Sequence, residues 1–380
     1  MTVSRNASPV AVPSPRTGEG RTVLVAMSGG VDSSIGAALL AEAGWDVIGV
    51  TLKLWCYGES EDEATPRSCC SLDAIADARS VALHMGFPHH VLDESAAFRA
   101  QVVAPFVRDY LGGETPYPCA LCNTHLKFGS LFAHARKAGA DFLATGHYAR
   151  IAPAPTAGGT EPALFRAAHD GKDQTYALWG IARATLPRLL FPLGGLTKDE
   201  VRAHGERLGL GRVAQKVESQ DLCFVPDGDY AGFVAREAGA QAVDRPGPMV
   251  DTAGRAVGTH RGLARYTVGQ RKGLGLAAEE AQYVVALEPA TNTVRVGSDA
   301  DLLASAARFT DFNWLSADPP GEGEPIEAQI RYRHRPAPAR LYAEAGRLEF
   351  ETPQRAITPG QSAVFYRGDR LLGGARLARA

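Results

Sequence analysis

The chain is poor in cysteine, with six in 380 residues. That is too sparse for the disulfide scaffold of a secreted protein. An excess of either charge is also missing: 40 Lys and Arg stand against 42 Asp and Glu, a formal net charge of −2. No global basic field advertises nucleic-acid binding, so any RNA site must be a local patch. No apolar run approaches the ~20 residues of a membrane span. The first 20 residues are rich in Ser, Pro, Gly and Thr and lack the apolar segment of a secretory signal. They read as a disordered tail, and cytoplasm is the expected location. Internal repeats are absent, and so is the G-x-x-x-x-G-K-[ST] sequence of a Walker P-loop.

What remains is a chain of ordinary globular composition, long enough for two or three domains. Thr22–Ala26 is a continuous apolar run, as a buried parallel strand requires. A glycine loop follows, then a helical stretch at 33–42 stopped by Gly44, then a second β-rich run at 46–54. Further helices are predicted at 72–85 and 127–137, with strands at 89–92 and 141–145. This alternation predicts a doubly wound parallel-sheet α/β domain over residues 21–225. Pro153–Pro162 reads as a surface loop within it. Residues 226–297 are rich in Gly, Pro and charge and form a small central domain. From 298 to 380, β-like runs at 326–332, 340–343 and 363–366 alternate with turns, which predicts a small antiparallel β-barrel.

The loop Ser28-Gly29-Gly30-Val31-Asp32-Ser33 lies between the first strand and the first helix. Two glycines let backbone N–H groups converge on an anion, Ser28 and Ser33 offer hydroxyls, and the helix presents its positive end. Asp32 would repel a phosphate directly but suits a bridging Mg²⁺. The loop therefore points to ATP.

Three cysteines add sulfur chemistry: Cys119 and Cys122 in a C-x-x-C, and Cys223 far downstream. Zinc would want a fourth ligand. A [4Fe–4S] cluster on three thiolates would leave one iron open. A persulfide and disulfide pair would leave the third thiol incidental. Three unrelated buried cysteines complete the set of readings. Cys69-Cys70, ahead of a helix, reads as structural. Two local basic runs, 261–275 and 331–335, suit a phosphate backbone, and their tyrosines offer stacking surfaces. Residues 301–380 hold eleven Arg against ten Asp and Glu, so binding there must come from local arrangement. His147 lies at a predicted strand end without His or acidic neighbours in sequence, which suits orientation of a base or phosphate better than a metal.

The segment Thr22–Ser33 resembles the PP-loop of the ATP pyrophosphatase superfamily, whose members split ATP between the α- and β-phosphates. Ser28–Ser33, Pro118–Asn123, Thr145–Arg150, Lys172-Asp173-Gln174, Glu218–Phe224, Tyr266–Gly275 and Pro359–Ala363 together resemble the tRNA-specific 2-thiouridylases, the MnmA family, over residues 21–380. The resemblance implies ATP-dependent adenylation of the C2 oxygen of the wobble uridine, position 34. Sulfur transfer from a protein persulfide then gives 2-thiouridine, AMP and pyrophosphate. By position, Cys223 resembles the persulfide carrier and Cys122 the thiol that releases the sulfur and closes a disulfide with it. Ala26, Met27, Ser28, Gly29, Gly30, Val31, Asp32, Ser33, Leu52 and Gly146 resemble ATP-binding positions. Tyr117, Pro118 and Cys119 align with the segment that meets the target base. His147, Lys172, Asp173, Gln174, Arg331, Tyr332 and Gln361 resemble tRNA contacts. Implied partners are the tRNA anticodon stem-loop and an upstream sulfur-donor protein, with the chain a monomer.

Many members of that family carry Asn-Pro-Asp where this chain has Tyr117-Pro118-Cys119. The third thiol raises the expectation of a [4Fe–4S] cluster on Cys119, Cys122 and Cys223. Two other functions stand beside thiolation: an adenylating synthetase using ammonia, and a non-enzymatic iron–sulfur or redox-sensing RNA-binding protein.

Overall fold

The computed structural model describes residues 18, 20–55, 72–217, 222–277 and 280–379. Most of the N-terminal tail and the Cys69-Cys70 pair lie outside the described residues.

Strands β1 (Thr22–Ala26), β2 (Asp46–Lys53), β3 (His89–Asp93) and β4 (Phe142–Thr145) are followed by a hairpin, β5 (Ala149–Thr156) and β6 (Gly159–Arg166), and by the short β7 (Leu189–Leu190). Five of them form a parallel sheet in the order β3-β2-β1-β4-β7. Both faces of β1 are covered. Leu24 enters one core, beside Phe98 and Leu126, while Val23 and Val25 enter the other, beside Ile35 and Leu39. This two-sided burial explains the unbroken apolar run, since parallel strands are normally sandwiched by helices. Helix α1 (Val31–Glu42) packs on one face; α2 (Leu72–Met85) precedes β3. The chain order reverses direction between β1 and β4. Their carboxyl ends therefore flank the crevice where open α/β sheets bind ligands.

Two expectations need correction. The helix predicted from Lys127 begins at Pro118 and runs to 137, with a π-helical stretch at Cys122–Ser130. The C-x-x-C thus lies inside the helix. The intrinsic preferences of Pro-Cys-Ala-Leu-Cys gave no helical period, and packing supplied it: Ala120, Cys122 and Leu126 are buried. Second, Pro153–Pro162 is not a free loop. Its residues pair across β5 and β6, Pro153 opposite Pro162. The hairpin extends the C-terminal sheet through Arg370 opposite Phe165 and a bond from Arg166 N–H to Asp369 O of 2.8 Å. Proline is tolerated on β5 because that strand is the sheet edge, and at Pro162 of β6 because β17 pairs with β6 only at Phe165.

The central region contains a helix at Tyr230–Ala238 and the four-stranded sheet of β8 (Gly247–Val250), β9 (Ala256–His260), β10 (Tyr283–Glu288) and β11 (Thr293–Gly297). The last region comprises β12 (Leu303–Trp314), β13 (Glu324–Gln329), β14 (Ala337–Tyr342), β15 (Arg347–Arg355), β16 (Ser362–Arg367) and β17 (Arg370–Ala378). Pairing of β12 with β17 closes these antiparallel strands into a barrel around Phe309, Leu341, Phe365 and Leu377. Closure removes the exposed edges that a short sheet would otherwise present.

All three parts meet at Thr115, just ahead of Tyr117-Pro118-Cys119. Its N–H donates to Pro359 O at 2.9 Å and its carbonyl accepts from Gln361 Nε2 at 2.7 Å, both from the barrel. Its hydroxyl donates to Thr267 Oγ1 of the central region at 3.3 Å. Arg376 of β17 pairs with Asp109 at 2.8 Å and with Glu114.

Candidate nucleotide and sulfur-transfer site

The loop between β1 and α1 is held open by its own hydroxyls. Ser28 N–H donates to Ser33 Oγ at 2.9 Å, and the two serine oxygens lie 3.1 Å apart. Gly29 has φ +70°, and a Cβ there would stand 2.0 Å from the Ala74 carbonyl oxygen. No side chain fits. Gly146, at the end of β4, lies so close to α1 that a Cβ would meet Ser33 N at 2.7 Å. These glycines let two backbones approach across the crevice. Met27, Val31 and Leu52 are buried supports. Thr51 fixes the loop's entry by donating to Met27 O at 2.7 Å.

Cations surround this loop that the sequence alone did not single out. Lys198 Nζ and the Tyr148 hydroxyl each lie 2.7 Å from Asp32 Oδ1. Lys216 donates to Gly29 O at 3.0 Å and pairs with the buried Asp77. The signal for Lys198 was legible: Thr197 and Glu200 form a reciprocal capping box, placing Lys198 at the first helical position. Nothing local pointed to Lys216 or Tyr148.

Cys122 opens the π-helical stretch and is buried in the core under β1. The neighbouring Asn123 is anchored by its Nδ2 on Ala177 O at 2.9 Å. Cys223 is half-buried against the same core and is followed by Phe224, which is fully enclosed. Phe224 packs within 5.1–6.5 Å, centroid to centroid, of Phe106, Phe233, Phe98 and Trp55. This nest fixes where Cys223 sits. None of Cys119, Cys122 and Cys223 is in a disulfide. Among the described residues no three His, Cys, Asp or Glu side chains are grouped so as to hold a metal ion. The three thiols therefore do not fit the cluster expected for them, and the cause is separation by fold rather than ligand type. Burial, then the neighbouring Cys122, pushes the Cys119 thiol up to about 11 despite Lys127 and a side-chain hydrogen bond with Tyr117.

Tyr117 belongs to a cluster of three rings. It stacks on Tyr332 of the barrel at 5.8 Å and 27°, and packs at 5.0 Å on Tyr176. Tyr332 stays 38% exposed, with the Arg333 guanidinium 5.3 Å from its ring centre. The neighbouring Arg331 is bound to Arg355 O at 3.1 Å. His147 sits between Phe128 and Phe191, its Nδ1 2.7 Å from Thr145 Oγ1, and burial holds its imidazole well below the usual range. Asp173 and Gln174 are engaged internally, Asp173 with Arg166 at 3.2 Å and Gln174 with Tyr148 N–H at 3.0 Å. Pro118 is buried. Lys172 is half-buried beside them. Gln361 spends its amide on Thr115. In the basic stretch 261–275, Tyr266 is a core residue against His260 rather than a surface ring, while Arg261, Arg271 and Lys272 are exposed.

A parallel sheet with a glycine-serine loop and a helix N-terminus at its switch point has the architecture of a PP-loop ATP pyrophosphatase. Family profiles match each of the three regions. The profile described as tRNA methyl transferase HUP domain matches residues 21–227. Those described as tRNA methyl transferase PRC-barrel domain and Aminomethyltransferase beta-barrel domain match 233–298 and 305–377. The tRNA-specific 2-thiouridylase MnmA of Solibacter usitatus is 47% identical over 93% of this chain and 98% of its own length. That of Sorangium cellulosum is 45% identical over 100% of this chain and 98% of its own. A 4-thiouridine synthetase–RNA complex with bound ATP matches 55% of this chain and 46% of that chain, at 15% identity and TM-score 0.34. The chain belongs to the MnmA family of tRNA-specific 2-thiouridylases. Among the described residues no helix is long and apolar enough to cross a membrane.

Proposed function

We propose that this protein is an ATP-dependent tRNA sulfurtransferase that converts the wobble uridine to 2-thiouridine. The reading is carried by the glycine-serine loop and the α1 N-terminus at the sheet's switch point, with Cys122 and Cys223 both packed into the core on one face of that sheet. In the first half-reaction the uracil O2 attacks the α-phosphorus of ATP. An O–P bond forms, the bond to the β-phosphate bridge breaks, pyrophosphate leaves with the electron pair, and the ring nitrogen N3 gives up its proton to solvent. The loop N–H groups and the α1 dipole hold the phosphates. Asp32 has one oxygen engaged by Lys198 and Tyr148; its other oxygen suits Mg²⁺, which is commonly held by one or two carboxylates plus phosphate oxygens. Mg²⁺ would supply charge neutralisation there.

In the second half-reaction the terminal sulfur of a Cys223 persulfide adds to C2, and AMP departs with the C2–O pair. The Cys122 thiolate then attacks the Cys223 sulfur. The S–S bond to the base sulfur breaks, and that sulfur remains on C2 and takes up a proton at the ring. A Cys122–Cys223 disulfide remains, and an external dithiol, itself oxidised to a disulfide, returns it to two thiols. The ring cluster of Tyr117, Tyr176 and Tyr332 supports a place where an unpaired base is received, since aromatic faces accept bases by stacking. His147, Lys172, Arg331 and the exposed 261–275 cations support tRNA positioning. Asp173, Gln174 and Gln361 act through the elements they tie together. The persulfide comes from a separate donor protein, and the enzyme works as a cytoplasmic monomer.

The test is turnover with unmodified tRNA, Mg-ATP and a persulfide donor, scored by nucleoside mass spectrometry. Thiouridine with one pyrophosphate per base supports the reading, and Cys223→Ser abolishes it. Pyrophosphate release that persists in Cys223→Ser and yields an aminated product would replace it with an ammonia-using synthetase.

A further inference from the structure

Lys127 is half-buried, yet among the described residues it has no hydrogen bond and no carboxylate partner. Every other feature of its surroundings is specific. It lies five residues beyond Cys122 within the π-helical stretch, where Leu131 N–H reaches back to Leu126 O. In an α-helix, residue i+5 stands about 140° round the axis from residue i. The wider i→i+5 winding returns it close to the same face. The irregular winding therefore carries Lys127 onto the side of the helix that bears Cys122.

Its electrostatic neighbours are the Cys119 thiol and the His147 imidazole. The adjacent Phe128 seats its ring 5.9 Å from that of His147. His147 directly follows Gly146, which touches the backbone of Asp32 and Ser33. Lys127 thus stands between the wall of the phosphate loop and the segment Tyr117-Pro118-Cys119. Both neighbours are neutral at pH 7, for burial lowers the imidazole and raises the thiol. A partly buried ammonium without a counter-charge is unfavourable. The pocket is built for an anion that arrives.

We propose that Lys127 is a catalytic residue that binds the α-phosphate of ATP and the adenylated base. The assignment rests on the adenylation reading above. Lys127 keeps its proton throughout. As O2 bonds to the α-phosphorus and pyrophosphate leaves, negative charge concentrates on the α-phosphate oxygens, and a fixed cation there stabilises the transition state. The same contact stabilises AMP as it departs.

The experiment uses the full chain with unmodified tRNA and Mg-ATP in the absence of any sulfur donor, so that pyrophosphate formation reports adenylation alone. Wild-type protein must release pyrophosphate, and must form thiouridine once persulfide is added. If it does neither, the functional reading fails and not this assignment. With wild type active, Lys127→Met, which keeps the chain length and removes the charge, lowers the adenylation rate by about 10²–10³-fold. Lys127→Arg retains it to within about tenfold. Persulfide loading of Cys223 and the melting temperature stay at wild-type values in both. Should Lys127→Met be unstable, Lys127→Gln takes its place with the same expectation. Adenylation at the wild-type rate in the uncharged variants overturns the assignment; if thiolation is lost while adenylation persists, Lys127 serves the thiols instead.

Discussion

Gly146→Ala separates the geometry of the nucleotide crevice from the general stability of the fold. A methyl group at this position would stand 2.7 Å from Ser33 N, 2.8 Å from Asp32 C and 2.9 Å from Ser33 Cα, where ordinary contact begins near 3.4 Å. All three atoms are backbone, so no side chain can swing aside. The first turn of α1 and the end of β4 must part by about 0.5–0.7 Å, an overpacking that typically costs about 1–3 kcal/mol. For a domain of this size that lowers the melting temperature by about 2–4 °C per kcal/mol. Ser33 is also the residue whose Oγ holds the Ser28 N–H at 2.9 Å. Displacing it splays the donors meant for phosphate, so the KM for ATP rises by about tenfold or more, roughly 1.4 kcal/mol of lost binding. The assay is pyrophosphate release against ATP concentration, with melting curves taken with and without Mg-ATP. Gly158→Ala is the control, because nothing lies within 4 Å of its Cβ; it should leave both readouts unchanged. A Gly146→Ala protein with wild-type KM and a melting point within about 1 °C of wild type would refute the close approach.

Three other outcomes follow from the structure. Arg376→Ala removes the guanidinium from Glu114 and from one oxygen of Asp109, whose other oxygen keeps Arg108 at 2.9 Å; losing a hydrogen bond between charged groups there costs about 1.5–3 kcal/mol, read as a lower urea midpoint. Hydrogen bonds from the Ser95 side chain and backbone and from Lys53 hold the Asp93 carboxyl at about 2. A depressed folded-state value stabilises the protein above the unfolded value of about 3.9 and is lost as pH falls toward 2. Asp93→Asn is therefore less stable than wild type at pH 7, and their urea midpoints converge near pH 2. Cys119 is protonated at pH 7, so Cys119→Ser removes no charge and keeps thiolation to within about one order of magnitude. Cys122→Ser and Cys223→Ser abolish it. In wild type, alkylation of Cys119 accelerates only as pH approaches 11.

Much of this protein is legible in its sequence where the physics is local. The apolar run Thr22–Ala26, the glycine-serine turn and the helix after it were read from neighbours within a few residues, and the strands expected at 46–54, 89–92 and 141–145 form at 46–53, 89–93 and 142–145. Two of the glycines proposed for the ATP site, Gly29 and Gly146, lie in motifs short enough to recognise. What tertiary structure alone decided involves partners far apart in the chain. The Pro153–Pro162 segment looks like a loop because proline and glycine weaken any strand, yet it is a hairpin because the barrel edge near Arg370 offers it a neighbour. Pro118–Cys122 has no helical period of its own, and the core around Leu126 wound it into a helix. Tyr266 resembles a surface ring by sequence and is a core residue by packing. The three cysteines suggested a cluster because spacing in sequence says nothing of distance in space. Lys198, Lys216 and Tyr148 reach the phosphate loop from more than a hundred residues away. Local propensity follows from a residue's own backbone and its near neighbours, so sequence determines it. Which cation faces which loop depends on chain closure over long separations, and only the folded structure decides that.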